Sequence, residues 1–483
     1  MKRLSLSLLL FAAAGAAADS SGVIDIGSRR ELFVDIHLIG QMRGAHLSLA
    51  KPVDAGPVLQ LDRPWEGAFS AYFTVIKDGD RYRLYYRGVP KAGSDGNSNE
   101  VTCVAESTDG VKWTRPDLGL YEVHGTRNNN VILANQAPLT HNFSPFIDTR
   151  PGVPPAERWK ALAGIHSSGL VAFVSPDGIH WRKLREEPVI PSPKEFVFDS
   201  QNVAFWSDAD QSYVCYFRSW KRIQGINYRW VSRTLSKDFV HWAVPVEMTY
   251  GDAPPEHLYT NQTSAYFRAP HLYVGVCARF EPGRQILTDE QAATVRVDPK
   301  YFKDCSDAVL ITSRGGNRYD RTFMEGFLRP GLGWENWVSR SNYPALNVVP
   351  TGANEMSFYV GRNYGQPTIY LRRYTLRLDG FASVKAPYNG GEIVTKTVRF
   401  QGSKLEINYA TSAAGGIKVE LQDETGNSIP GFGLADAQEI IGDEIARVVA
   451  WKQGCDVSRL AGKPIRIRFV MKDADLYAFR FSN

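Results

Sequence analysis

Short runs dominated by apolar residues recur along most of the chain, separated by polar and turn residues. Ala71–Ile76, Tyr82–Tyr86 and Val101–Glu106 are such runs; so are Asn202–Trp206, Tyr213–Arg218 and Tyr228–Thr234, then Met356–Gly361 and Thr368–Arg373. Runs of this length, rich in aromatic and β-branched residues and bounded by turn residues, read as strands. Lys77-Asp-Gly-Asp80 between the first two is a hairpin signal. Helical periodicity is scarce, and Gln285–Val295 is a candidate helix or loop insert. From about Ala386 the texture changes to short alternating runs separated by turn residues: Val394–Phe400, Lys404–Tyr409, Ile417–Leu421, Ile465–Met471 and Leu476–Phe481.

The strand runs are punctuated by a repeated phrase. Ser107-Thr-Asp109-Gly110-Val-Lys-Trp113 returns as Ser175-Pro-Asp177-Gly178-Ile-His-Trp181, then as Ser236-Lys-Asp238-Phe239-Val-His-Trp242. A fainter copy is Ser313-Arg-Gly-Gly316-Asn-Arg-Tyr319. The serines are 68, 61 and 77 residues apart. A β-rich unit recurring at that period reads as a propeller blade. Five units follow: Trp65–Trp113, Asn142–Trp181, Asp199–Trp242, about Glu256–Tyr319, and near Glu355–Phe381. A short strand such as Leu32–Ile39 is expected to join the last blade and close the ring, which removes exposed edges. The predicted fold is all-β: a five-bladed β-propeller over 19–385, followed by a small C-terminal β-sandwich over 386–483.

The N-terminus has the form of a secretory signal, residues 1–18. Lys2-Arg3 carry the charge, Leu4–Ala14 the apolar stretch and Ala16-Ala17-Ala18 the cleavage site. The expected location is secreted or periplasmic, with no membrane span, because no run approaches roughly 18 apolar residues. Formal charge is +5, falling to +3 without Lys2 and Arg3. So mild and dispersed a charge gives no reason to expect nucleic acid. The five cysteines show no Cys-x-x-Cys spacing for zinc or redox chemistry. Cys103, Cys215 and Cys277 read as buried small hydrophobes, and a disulfide involving Cys305 or Cys455 stays open.

A propeller gathers the first strand of every blade around one axis, so polar residues at those strand starts are the candidate chemistry. The openings are Trp65-Glu66, His141-Asn142, Asp199 with Gln201 and Asn202, Glu256-His257 with Tyr259 and Asn261, and Asn354-Glu355. Carboxylates from different blades can act as proton donor and as nucleophile or base on opposite faces of a sugar, while amides hold its hydroxyls. An Asp or Asn at a strand start is equally a turn or cap residue. A second dense stretch, Arg321 to Arg340, contains Glu325, Arg329 and Trp334 and reads as a loop at the pocket mouth or as a structural ion-pair cluster. Arginines there would depress the pKa of Glu325, which suits a base more than a proton donor. Arg268, Arg372 and Arg373 are further basic candidates. Nine histidines without a tight cluster give no sign of a catalytic metal; no cofactor is expected, and a structural calcium on the axis stays open.

At Glu31-Leu-Phe-Val-Asp35, Pro64-Trp65-Glu66-Gly67, His141-Asn142-Phe143, Phe198-Asp199-Ser-Gln-Asn202, Glu256-His-Leu-Tyr-Thr-Asn261 and Arg372-Arg-Tyr-Thr-Leu-Arg-Leu-Asp379-Gly-Phe381, the chain resembles exported bacterial proteins described as glycoside hydrolase family 32-like. The resemblance implies a five-bladed hydrolase acting on a carbohydrate, with three carboxylates from the first, third and fourth blades. By position these are Glu66, Asp199 and either Glu325 or Glu256, with Asp35 and Glu355 as alternates. The expected substrate-binding set is Trp65, His141, Asn142, Gln201, Asn202, His257, Tyr259, Asn261, Arg321, Trp334 and Glu355. The signature Asn-Asp-Pro, Arg-Asp-Pro and Glu-Cys-Pro triplets of family 32 are absent, so fructan hydrolysis does not follow. The leading expectation is hydrolysis of a plant or algal glycan. The alternatives are a non-catalytic glycan-binding propeller and a phosphorylase-like enzyme using Arg321, Arg329 and Arg372 to hold phosphate.

Overall fold

The computed structural model describes residues 22–483, and the expected leader at 1–18 lies outside them. The described chain forms two compact units.

The larger unit comprises residues 32–36 and 47–384 and is a five-bladed β-propeller. Blade one is Ala71–Asp78, Arg81–Gly88, Val101–Ser107 and Val131–Leu133. Blade two is Ser144–Ile147, Trp159–Ala163, Val171–Ser175 and Arg182–Lys183. Blade three is Val203–Ser207, Ser212–Ile223, Ile226–Ser236 and Val246–Glu247. In blade four the inner strand comes in two pieces, Leu258–Thr260 and Thr263–Tyr266, followed by Ala269–Glu281 and Cys305–Ser313. Its outer edge is irregular, bridging Ala308 to Leu328 and Thr312 to Asp320.

Blade five departs from the sequence expectation at both edges. Its inner strand is Tyr343–Pro344 and Val349–Pro350, so Glu355 opens the second strand, Glu355–Arg362, not the first. Two short pieces broken at Asn347, with φ 78°, leave no alternation to read. The fourth strand is Val53–Gln60, which pairs with Tyr370–Arg377, as in Leu371 opposite Leu59. This strand closes the ring in place of the expected Leu32–Ile39. Pro57 and Gly56 disguise it in sequence, and both are tolerated there because an edge strand leaves one row of N–H groups free. Arg372 clamps it through two 2.7 Å bonds to the Asp54 carboxylate. On the axial side, Val75 N–H donates to the Leu346 carbonyl and Leu346 N–H to that of Phe73, which joins blade five to blade one.

The repeated phrase proves to be one hydrogen-bonded turn used three times. Ser107 Oγ accepts from the N–H of Asp109 and Gly110, while Asp109 Oδ1 accepts from Val111 and Lys112. Ser175 with Asp177, and Ser236 with Asp238, repeat the pattern. These turns consume Asn/Asp/Ser local bonding in the usual way of such residues. Ser313 bonds to Gly315 and Arg318 carbonyls instead, so the fourth copy has diverged. The five cysteines are all free.

The smaller unit comprises residues 22–31, 37–46 and 385–483. It is all-β, and it recruits N-terminal strands that the expected boundary of 386–483 left out. Ile24–Gly27 pairs in parallel with Val398–Phe400, and Ile39–Arg43 pairs with Gly391–Thr395. Two long strands, Lys404–Gln422 and Pro464–Ser482, form its spine, with alternate residues such as Ile467 and Phe469 buried. No helix among the described residues is long and apolar enough to cross a membrane. The candidate insert contains a helix, Asp289–Thr294, started by a Thr288/Gln291 capping box.

Candidate active site

Four blades turn into their inner strands through a residue in the left-handed region. Tyr72, Phe198, Gln262 and Arg340 have φ of 56°, 67°, 48° and 60°. Such angles are uncommon for non-glycine residues and cost of order 1–3 kcal/mol when the surroundings impose them. Here they aim side chains across one end of the axis. Polar groups seal the layer beneath: Gln201 Nε2 donates to Thr74 Oγ1 at 2.6 Å, and Gln262 Nε2 donates to Gln201 Oε1 and to the Pro344 carbonyl, both at 2.8 Å. A cavity of about 20 Å³, lined by Tyr72, Gln201, Gln262, Arg340 and Tyr343, lies at this level. The chemistry therefore sits at one mouth of the axis, above a closed floor.

Asp199, His141 and Asp95 meet there. One ligand atom from each lies within 4.8 Å of the others. Asp199 stands at the start of the blade-three inner strand, its side chain 20% exposed, and accepts a 2.9 Å bond from Arg218 Nη2. Burial raises its pKa; Arg218 opposes that and Asp95 adds to it. Asp95 rides on the loop between the second and third strands of blade one and is mostly exposed. Gly96 fixes that loop: its φ is 72°, and a Cβ there would lie 2.4 Å from Pro138 Cβ. Its N–H approaches His141 Nδ1 at 3.1 Å. His141, fully buried, also lies 2.9 Å from Glu100 Oε2 and 3.1 Å from Arg87 Nη1. Arg87 stacks over Tyr72, whose phenol burial keeps protonated well above its usual range.

The far wall is cationic and aromatic. Arg218, Arg229 and Arg340 each place a guanidinium carbon 5.2–5.3 Å from the centre of the Tyr259 ring. Arg340 Nε donates to Tyr259 Oη at 3.3 Å. The blade-three hairpin is long, 12 and 11 residues in its middle strands, and Trp220 opposes Arg229 across it. Strand alternation then puts Arg218, Trp220 and Arg229 on one face. The blade-four insert brings in Tyr301, which stacks against Arg340 and Tyr364. His257 lies against Tyr228, and its Nδ1 accepts the Arg229 N–H at 3.3 Å. Burial, then Arg229 and Arg218, push its pKa below the usual imidazole value, so it is neutral.

Of the expected site residues, Asp199, His141 and Tyr259 join the cluster and His257 borders it. Asn142, Gln201, Asn202 and Asn261 reach the axis but are occupied there. Asn142 alone spans four bonds, to Gly164 N and to the carbonyls of Gly164, Phe198 and Ser200. Asn202 bonds to the Phe198 and Ser200 carbonyls, and Asn261 Oδ1 accepts the Thr263 N–H. The others lie elsewhere. Glu66 is 0% exposed within blade one, held by Arg115 at 2.8 Å and by Tyr86 Oη at 2.5 Å. Trp65 Nε1 is tied to Asn130. Glu256 sits between Arg279 and Arg321, and Arg321 is spent on it and on two carbonyls. Glu325 is exposed on the irregular outer segment of blade four. Trp334 is half exposed in the turn Trp334–Trp337. Glu355 pairs with Arg373, and Asp35 with Arg314. The close group that contains Asp199 is made with Asp95 and His141, not with Glu66 or Glu325. Buried acids facing their own blade's arginines are structural ties, which position in sequence cannot distinguish from catalysts.

Sequence reasoning missed Asp95, Glu100, Arg87, Tyr72, Arg218 and Arg229. Asp95 looks like an ordinary Gly-Ser-Asp-Gly-Asn loop. Arg218 and Arg229 had a readable signal, polar positions on one face of a strand pair, but not its direction.

No protein-family model matches the chain, and no curated protein matches it. Among solved structures, a chain described as a glycoside hydrolase is similar at TM-score 0.47 and 10% identity, over 68% of this chain and 92% of that one. An N-acetylgalactosamine deacetylase from F. plautii, in complex with blood group B trisaccharide, is similar at 0.44 and 14%, over 69% and 96%. The catalytic domain of a Coprinopsis cinerea alpha-L-arabinofuranosidase is similar at 0.40 and 11%, over 68% and 97%. At such levels activity does not transfer with the fold.

Proposed function

We propose that the protein is a glycoside hydrolase, exported by its leader and acting on a plant or algal glycan, with its active site at the axial cluster. The observation that carries this reading is the pair Asp199 and Asp95. Two carboxyl groups from different blades face each other, with oxygens within 4.8 Å, and their surroundings differ. Asp199 is largely buried and burial raises its pKa, the direction that suits the group giving a proton to the glycosidic oxygen. Asp95 is solvated and is the nucleophile at the anomeric carbon. Water then releases the sugar, with Asp199 taking back the proton. Retaining glycosidases hold their two carboxyl groups about 5–5.5 Å apart, and the nucleophile role of Asp95 places this site in that class. His141, backed by Glu100 and Arg87, positions the Asp95 loop. Trp220 and Tyr301 offer aromatic faces to a sugar ring. The phosphorylase alternative loses support, since Arg321 and Arg372 are spent on Glu256 and Asp54.

The test is reducing-sugar release from a panel of plant and marine polysaccharides by the parent, Asp199→Asn and Asp95→Asn. Release lost in both variants, with unchanged circular dichroism, supports the assignment. Release retained in either refutes it. A second reading rests on the same three side chains, because Asp95, His141 and Asp199 form a donor set that could hold a divalent cation. In that reading turnover is lost to a chelator and restored by metal; in the carboxylate-pair reading a chelator has no effect.

A further inference from the structure

The axial wall contains more positive charge than it can neutralise. Asp199 answers Arg218, and Glu100 faces Arg87 through His141. Arg229 and Arg340 have no acidic partner within ion-pair distance among the described residues. Arg218 is 1% exposed, yet its Nε and Nη1 have no hydrogen-bond acceptor, and the buried Nε of Arg229 has none. A buried guanidinium with idle donors is costly unless something pairs with it. Burial, then the charges of Arg218 and Arg340, lower the pKa of Arg229, as expected of cations crowded without a counter-ion. The three cations converge on one ring, Tyr259, and its neighbours Trp220 and Phe280 stack on Arg229 at 5.1 and 4.3 Å. Stacking of this kind holds the planar forks rigid while leaving their edges free to bind an oxyanion.

We propose that this wall is a subsite for an oxyanion carried by the substrate sugar, a carboxylate or a sulfate ester, read by Arg229 and Arg340 with Arg218 behind them. This rests on the active-site reading above and narrows it to acidic glycans. The anion would sit on the sugar that Asp199 serves, since Arg218 bonds to Asp199 and stacks on the same Tyr259 ring as Arg229 and Arg340. Neutral glycans would leave the arginines unpaired in the bound state, and a site built for a polar partner rejects a ligand lacking it by about 10⁴–10⁵-fold at best; partial solvent access here makes about 10²-fold the expected discrimination.

The experiment uses the Asp95→Asn protein, so that binding is read without turnover while Asp199 keeps its bond to Arg218. Calorimetric titration with methyl glucuronide and methyl galacturonide is compared with methyl glucoside and methyl galactoside, and with 6-O-sulfated galactose. Tighter binding of the uronides identifies a carboxylate, and of the sulfated sugar a sulfate ester. Arg229→Met and Arg340→Gln should each lower acidic-sugar affinity at least tenfold without changing neutral-sugar affinity. Arg229→Lys should recover part of it. Equal affinity for acidic and neutral sugars, or no acidic sugar binding, overturns the subsite, as does an unchanged preference in both arginine variants with intact melting curves. Acidic-sugar binding with no hydrolysis of any glycan by the parent would keep the subsite and refute the hydrolase. Hydrolysis confined to neutral glycans would do the reverse.

Discussion

Asp199→Asn separates stability from turnover at one atom. The substitution keeps the side-chain volume and an oxygen for the Arg218 Nη2 bond, now 2.9 Å long, but removes the transferable proton and the ability to ionise. In the folded protein the Asp199 pKa is raised above 3.8, burial outweighing Arg218. As pH rises from 3.8 through the raised value, the unfolded chain has already lost the proton that the native state still holds. The unfolded state therefore binds fewer protons in that window, and stability falls as pH rises. Each tenfold separation of the two equilibria is worth about 1.4 kcal/mol. Asn does not titrate and suffers no such loss. Against this gain stands Arg218, 1% exposed. Stripping a buried charge of its partner costs about 3–5 kcal/mol, but here the amide oxygen still accepts its bond and Asp95 remains nearby. The two effects should nearly cancel, leaving the variant within about 1 kcal/mol of the parent at neutral pH. Relative to the parent, it should gain stability between pH 4 and 8. Turnover should fall by about 10²–10⁴-fold, the usual worth of a positioned general acid. Urea unfolding at pH 4 and 8 measures the first quantity. Initial rates measure the second, on a glycan and on an aryl glycoside whose leaving group needs no proton. The aryl substrate should lose much less. A variant more than about 2 kcal/mol less stable at pH 8 would mean that Arg218 holds Asp199 ionised. An equal loss on both substrates in the first step, read as the pre-steady-state release of the leaving group, would mean that it is not the acid.

Gly96→Ala should cut kcat by about 10–100-fold by moving Asp95, and should also cost about 1–3 kcal/mol of stability, because its Cβ would meet Pro138 at a left-handed φ; an unchanged kcat per folded molecule would remove Asp95 from the chemistry. Glu66→Gln should behave oppositely, since it breaks a buried contact with Arg115 and so costs about 3–5 kcal/mol in urea unfolding, while kcat per folded molecule stays the same. Ser175→Ala removes the acceptor for two N–H groups and should cost about 1 kcal/mol, with Ser107→Ala and Ser236→Ala similar if the three turns are equivalent. Asp177 and Asp238 share those turns, and backbone and His180 or His241 hydrogen bonds, outweighing burial, depress their pKa values. Their stabilisation is complete above the unfolded value and lost as pH falls through the folded one, so acid unfolding below about pH 4 should be delayed less in Asp177→Asn than in the parent.

How much of this was legible depended on the range of the interactions. The apolar runs Ala71–Ile76 and Tyr213–Arg218, and the Ser-x-Asp turn that follows the third strand of three blades, are local. A strand's burial pattern and a turn's hydrogen bonds are set within a few residues, so repetition exposed the blades and their number. The same locality marked Asp199 as a strand-start acid. The sequence alone could not assign the closing strand, because Val53–Gln60 is polar, carries Pro57 and becomes a strand only when Tyr370–Arg377 offers it an edge. Nor could it tell Glu66 from Asp199. Both follow an aromatic residue at the opening of a blade, and only the packed structure shows one fully buried and saturated by Arg115 and Tyr86 and the other partly exposed beside Arg218. The active cluster draws on residues from 72 to 340, brought together by ring closure. Sequence determined the unit that repeats; the tertiary structure decided which of its side chains face one another, because charge and pKa depend on neighbours in space, not along the chain.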